Sequence, residues 1–261
     1  PLPVPAFLHV TLAVLAGFAG GLIWGYIPGY LRAYRGVSEI VVTLMLNYVG
    51  IYFINWLVEE PHPLAELNTT FPQSPIIEKS AQLPILIKGT SMHAGIILAV
   101  VLGLILYLLL RYTPFGFKTR MIGQNPEAAR YAGVRVKRQI LFAMLISGGF
   151  GGLAGASEVL GLKLRLFDFF VGGVGYEAIA VALLANANLL GVIFSAFFFG
   201  ALKAGANKMQ IVSGVESSMA LIVMALAVLF VIAIGFGERR FRPKRKKDKD
   251  STERGIKTYG D

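Results

Sequence analysis

The chain has 261 residues, of which 55% are hydrophobic and 15% charged, with a mean hydropathy of +0.64. Soluble domains carry about 25% charged residues, so the composition excludes an ordinary water-soluble globular protein and points to a chain solvated by lipid. Cysteine is absent and the three histidines (His9, His62 and His93) are scattered, which leaves no disulfide framework, no thiolate chemistry and no metal site with ligand-like spacing. The 30 glycines and 12 prolines lie inside apolar runs and read as helix-packing and helix-breaking residues rather than as disorder. The chain opens at Pro1 without a basic leader and is expected to be a fragment or a processed form.

A spanning helix needs about 20 mainly apolar residues, and windows of that kind fall at 6–27, 40–58, 92–111, 140–160 and 215–235. In the first, Gly17, Gly21, Gly25 and Gly29 recur every four residues; in the fourth, Gly148 pairs with Gly152 and Gly151 with Gly155. Such spacing puts bare backbone on one helix face, and it serves either close packing or sliding during gating. The second window is preceded by Arg32 and Arg35 and opens behind Glu39. Thr43 and Asn47 follow at four-residue steps and share a face with Glu39. Polar groups at membrane depth are costly and hence functional candidates; this face either lines a path or locks two helices together.

The segment 59–91 holds Glu59, Glu60, Glu66 and Glu78 against Lys79 and Lys88, with five prolines, and is expected to be an extracytoplasmic loop. Its Asn68-Thr69-Thr70 triplet is a formal glycosylation sequon of a kind common by chance. The segment 112–138 holds six basic residues against Glu127 and belongs in the cytoplasm. Within it Asn125 can cap a helix whose first position is Pro126, with Glu127 in the first turn and Gly133 as the stop, giving one short amphipathic helix at 126–132. Its small face, Ala128, Ala129 and Ala132, fits a groove in a partner protein, with Tyr131 as an added anchor; a plain solvated helix is the alternative.

The fourth span ends near Glu158, which Lys163 or Arg165 can neutralise. The tail from Glu238 carries ten basic residues and five acids; it is expected to be disordered, cytoplasmic and drawn to anionic lipid. With both the tail and 112–138 cytoplasmic, the stretch 176–208 must cross an even number of times. A break at Asn186-Ala187-Asn188 then produces two short helices, 176–185 and 189–204, of the kind tolerated where free backbone faces protein or a water-filled cavity. Glu177 follows a glycine cluster at the start of the first, where an acid also complements the helix dipole. Asn186 and Asn188 supply either solute contacts or turn chemistry. The net charge of +10 concentrates where topology alone requires it, which argues against nucleic acid as a partner.

Gly200 and Gly205 have the spacing of a phosphate-binding loop, but Ala206-Asn207 follows instead of Lys and Ser or Thr. No ATPase site is legible and no catalytic cluster either, so a non-enzymatic membrane role is expected. The organisation is a transmembrane domain at 1–237 and the basic tail at 238–261.

Four motifs carry a resemblance: Glu39-Ile-Val-Val-Thr-Leu-Met-Leu-Asn47-Tyr48, the loop from Gly123 to Gly133, Ser157-Glu-Val-Leu-Gly161, and the run from Gly173 to Leu184. In this order and with these intervening spans, the chain resembles the integral-membrane permease subunits of bacterial ABC importers, in the simple-sugar and nucleoside branch related to ribose and branched-chain amino acid permeases. The resemblance implies an all-α membrane protein, a polytopic transmembrane helix bundle with a broken, short helix pair and a cytoplasmic coupling helix. It further implies that Gly123, Asn125, Pro126, Glu127, Ala128, Ala129, Tyr131 and Gly133 form that coupling element, docking on a cytoplasmic ABC ATPase. The translocation path would be bordered by Glu39, Thr43, Asn47, Glu158, Glu177, Asn186 and Asn188. Implied partners are the ATPase, which uses ATP and Mg while this chain binds no cofactor, a second permease subunit, identical or homologous, and an extracytoplasmic solute-binding protein. The expected solute is a nucleoside or simple sugar crossing the bacterial cytoplasmic membrane. Alternatives are an amino acid permease and a channel or scaffold without an ATPase.

Overall fold

The computed structural model describes residues 5–213, apart from 68, 88, 169 and 171, and scattered positions between 219 and 230. The described residues form helices joined by loops, with no strand beyond isolated bridges. The helices are α1 (Ala6–Tyr30), α2 (Glu39–Val58), α3 (Gly95–Tyr112), α4 (Pro114–Gln124), α5 (Pro126–Tyr131), α6 (Val136–Glu158), α7 (Val174–Leu184) and α8 (Leu189–Ser213). Among the described residues, five stretches are long and apolar enough to cross a membrane: Ala6–Arg35, Glu39–Val58, Gly95–Tyr112, Val136–Lys163 and Leu189–Val212. The protein is thus an all-α, multi-pass membrane protein. Most of the expected span at 215–235 and all of the tail at 238–261 lie outside the described residues.

The chain divides at Gly175 into two compact units. The first is organised on α1 and α6, whose backbones meet through glycine. A Cβ added at Gly17 would lie 2.7 Å from the Ala156 Cβ, at Gly25 2.8 Å from the Met144 carbonyl oxygen, and at Gly29 2.9 Å from the Met144 Cβ. At Gly21 it would overlap the Gly148 carbonyl and reach 2.9 Å from the Gly152 Cα. The partner helix is equally bare, since a Cβ at Gly148 would sit 2.8 Å from the Gly25 Cα. Gly151 and Gly155 face open space instead, so the glycine register on α6 that serves this seam is Gly148 and Gly152. Phe18 lies against Gly149, where even one methyl group would meet the ring.

Both helices of the seam overrun their expected ends. α1 continues through Pro28 and closes in a π-helical turn, Leu31–Arg35, stopped by Gly36 at φ +70°. α6 closes in a second π-helical turn, Val159–Lys163, stopped by Leu164 at φ +57°. A wider turn re-satisfies backbone groups where the α pattern fails, and no local sequence signal announces it.

One end of the first unit is basic and the other is a loop platform. Around the platform, Ala81, Leu83 and Leu160 form a buried cluster on which Val10, Val14, Ile77 and Ala156 pack. The segment after α2 is tied to the segment after α6 by extended pairing: Ser74 N donates to Leu166 O at 2.8 Å, Ile77 N to Leu164 O at 2.9 Å and Leu83 N to Leu160 O at 2.8 Å. The Leu166 amide in turn donates to Ser74 Oγ at 2.9 Å. His9, at the start of α1, bonds Ser80 Oγ at 2.9 Å, which fixes the N-terminal end of α1 to the platform. Large apolar side chains elsewhere stay exposed, Phe7 and Phe194 among them, as lipid-facing surfaces require.

In the second unit α7 and α8 are separated by the expected break. The structure corrects one part of that expectation: α8 runs 25 residues, to Ser213, and is a membrane-length helix rather than a short one ending at 204. Between Ala204 and Ser213 the sequence holds no proline and a lone Gly205, which weakens a helix by about 1 kcal/mol without ending it.

The seam makes a paired prediction. Gly20 has open space around its missing Cβ and Gly21 has none. Gly20→Ala should leave the stability unchanged or raise it by up to about 1 kcal/mol of helix propensity. Gly21→Ala should lower stability by about 1–3 kcal/mol through overpacking, as read by thermal unfolding in detergent.

Candidate functional site

At the basic end, α3 and α6 are joined by a helical elbow, α4 and α5, where the sequence indicated one helix. Thr113 caps α4 ahead of Pro114, with the Gly116 amide donating to Thr113 Oγ1 at 3.4 Å. The Thr-Pro pair repeats the grammar of Asn125-Pro126 and was the available signal for this helix. Gly116 lies so close under Leu110 that a Cβ there would strike its backbone. Arg120 donates to the carbonyls of Leu110 and Arg111, closing the end of α3. From α6, Gln139 Nε2 donates to Phe115 O at 3.1 Å and to Thr119 Oγ1 at 2.8 Å. Lys137, at the start of α6, stands 5.7 Å from the centre of the Tyr34 ring and links α6 to the π-helical turn after α1. The elbow is therefore held by both neighbouring helices, α3 and α6.

Asn125 ends α4 and starts α5. Its Oδ1 accepts from Glu127 N at 3.0 Å and Ala128 N at 3.1 Å, with Pro126 in the first turn and Glu127 beside the positive end of the helix. The helix finishes after Tyr131, one residue earlier than expected, in a paired-bond stop. Val134 N donates to Ala129 O and Gly133 N to Arg130 O, both at 3.0 Å, with Gly133 at φ +79°. Gly123 is exposed in the last turn of α4 with no atom near its missing Cβ. The small face expected of Ala128, Ala129 and Ala132 is divided. Ala129 is 0% exposed, packed within its own chain, whereas Ala128 and Ala132 are exposed and Tyr131 is 93% exposed. Ala129 is a seat for the helix, and Tyr131 is what the elbow offers outward.

The polar residues expected along a path do not gather in one place within the first unit. Glu39 opens α2 at the basic end, 3.0 Å from the Arg32 Nε, with both side chains near half exposed; such pairs contribute about 0–1 kcal/mol. Thr43 Oγ1 donates to Glu39 O at 2.8 Å within its own helix, and Asn47 is half-buried one turn further on. Glu158 lies at the platform end, 3.6 Å from Lys163 Nζ. Lys163 also donates to Phe170 O at 2.6 Å and sits 4.8 and 4.5 Å from the ring centres of Phe167 and Phe170. Arg165 turns instead to Glu66, 3.4 Å away.

In the second unit Asn186 and Ala187 adopt left-handed φ values of +49° and +55°. Asn188 caps α8, its Oδ1 accepting from Leu190 N at 3.0 Å. Glu177 receives Lys203 Nζ on both carboxylate oxygens at 2.7 Å. Lys203 was not singled out in the sequence, although a lysine inside an apolar run is itself a signal. Gly200 and Gly205 lie within the continuous helix α8, which is not a phosphate-binding loop.

A multi-pass helical protein with a rigid, outward-facing elbow at its basic end has the form of a membrane transport component, and comparison with known proteins agrees. Residues 4–234 match the model of the family described as branched-chain amino acid transport system / permease component. The chain belongs to that family. It is 39% identical over 233 residues to the guanosine ABC transporter permease protein NupP of Bacillus subtilis, covering 87% of this chain and 66% of that one. It is 30% identical to the nucleoside ABC transporter permease protein NupB of Lactococcus lactis, covering 95% and 70%. With the glucose ABC transporter permease protein TsgB13 of Haloferax volcanii the identity is 32%, over 90% and 64%. The chain thus spans about two thirds of the length of these relatives. No solved structure matches it.

The elbow yields a local test. Removing the cap by Asn125→Ala should cost α5 about 1 kcal/mol, seen as roughly fivefold faster hydrogen exchange at the Glu127 and Ala128 amides with the amides of α6 unchanged.

Proposed function

We propose that the chain is a permease subunit of an ATP-binding cassette importer that moves a nucleoside or simple sugar across the bacterial cytoplasmic membrane by alternating access. The observation that carries this reading is the 39% identity with a guanosine permease across 87% of the chain. The geometry supports it, because the elbow presents an exposed aromatic side chain on a helix whose two ends are both capped. Energy comes from a separate ATPase that uses ATP and Mg, and no cofactor is held by this chain. A second permease subunit and an extracytoplasmic solute-binding protein complete the assembly.

Orientation follows from charge. Arg32, Arg35, Lys118, Arg120, Arg130, Arg135, Lys137 and Arg138 share the basic end, while Glu59, Glu60, Glu66 and Glu78 lie toward the platform. The excess of Lys and Arg puts the elbow in the cytoplasm and the platform outside, and the tail joins the cytoplasmic side. In this arrangement α5, with Gly123 and Asn125 setting its entry and Gly133 its exit, transmits ATPase movement to α3 and α6. The α2 face bearing Glu39, Thr43 and Asn47, the outer residue Glu158, and the α7–α8 break bearing Glu177, Asn186 and Asn188 border the path. The scarcity of ionised groups within the spans suits an uncharged, hydroxylated solute better than a zwitterionic amino acid.

Recovery of the ATPase with the permease in detergent or nanodiscs tests the reading. Tyr131→Ala should reduce that recovery about tenfold or more, equivalent to about 1.4 kcal/mol of lost interface, with the permease still folded. An importer-like ATPase absent from wild-type preparations would favour a channel or scaffold instead.

A further inference from the structure

The hairpin of α7 and α8 holds a feature that the family assignment does not use. Lys203 is the fifteenth residue of α8, about 21 Å along the helix from Leu189, well inside a membrane-length apolar stretch. Its ammonium reaches back to Glu177, the fourth residue of α7, and bonds both carboxylate oxygens at 2.7 Å. The ion pair is not sealed, since the side chains of Lys203 and Glu177 remain 43% and 26% exposed. The stripe continues: Asn207 and Gln210 follow Lys203 at four and seven residues, on the same helix face, and both are exposed. Phe194 lies on the opposite face and Met209 well to one side, and these carry the apolar exposure of the same helix.

A half-exposed ion pair followed by two amides is unfavourable against acyl chains. Water, or a hydroxylated solute replacing water, satisfies it. The pair cancels its own charge, so the face offers donors and acceptors without net charge, and each amide supplies both kinds. That chemistry suits the hydroxyl and ring-carbonyl groups of an uncharged solute and gives no counter-charge to an ion. Lys208, on another face near the end of the apolar stretch, reaches the interface by snorkelling.

We propose that Glu177, Lys203, Asn207 and Gln210 form a polar wall of the aqueous solute path, contacting an uncharged hydroxylated solute in transit. The proposal rests on the importer reading above and adds to it three residues and a face of α8.

The 261 residues contain no cysteine, so a single introduced thiol can be followed against an unmodified parent. Asn207→Cys, Gln210→Cys, Met209→Cys and Phe194→Cys, each in the full-length permease assembled with its ATPase, would be reacted with a membrane-impermeant methanethiosulfonate in sealed vesicles, added from each side in turn. Labelling at 207 and 210 at least tenfold faster than at 209 and 194, from either side, is the expected result. Labelling at 207 and 210 no faster than at 209 and 194 would overturn the proposal, placing that face against protein or lipid. ATP-driven guanosine and glucose uptake by the parent is read separately. Its absence would count against the solute assignment, while the labelling contrast still decides whether the wall exists.

Discussion

The backbone contact between α1 and α6 is the constraint on which the first unit depends. Gly17, Gly21, Gly25 and Gly29 on one helix meet Gly148, Gly152 and their neighbours on the other at distances that leave no room for a Cβ. Lipid offers no hydrophobic driving force between helices, so close packing of backbone has to supply the attraction. The seam is also interlocked: Phe18 fills the space over Gly149, Met144 and Leu141 flank Gly29, and Ala156 stands against Gly17. Of the two roles that the glycine spacing permits, sliding would require these side chains to leave their seats. We read the seam as a fixed spine with the elbow at one end and the platform at the other.

Each end is built on what the spine holds in place. At the basic end, Gln139 and Lys137, both on α6, tie α4 and the π-helical end of α1 to the spine, so that α5 continues from an anchored helix rather than from a free loop. At the platform end, the π-helical close of α6 turns the chain so that residues 160–167 pair with residues 73–83, and His9 pins α1 to the same layer. Movement imposed on α5 has a continuous packed route to the platform. That route is mechanical continuity and becomes coupling only if the proposed ATPase supplies the movement.

What could be read from sequence was what sequence encodes locally. Asn125, Pro126, Glu127 and Gly133 spell a capped helix because each acts on backbone groups within four residues, and Glu158 found Lys163 five residues away. The neighbouring helix α4 escaped although Thr113-Pro114 carries the same signal, because Gly116 and Gly123 lower its helix propensity and its justification is a close approach to Leu110. Burial of Ala129 depends on packing of the elbow within the chain, which no spacing reveals. Glu66 with Arg165, and Glu177 with Lys203, are partners brought together by the fold across long sequence separations. The π-helical turns and the full length of α8 were hidden for a related reason: Gly36 marks only where the first turn stops, the second stops at a leucine, and no residue between 204 and 213 announces that α8 continues.

The fixed spine is tested most directly by measuring the distance between spin labels at Leu15→Cys on α1 and Phe142→Cys on α6, both at exposed positions, in the assembled importer with and without trapped ATP. The account predicts one distance distribution, unchanged between the two states. A shift of about 5 Å, one helical turn, would mean that the glycine faces slide and would contradict the account.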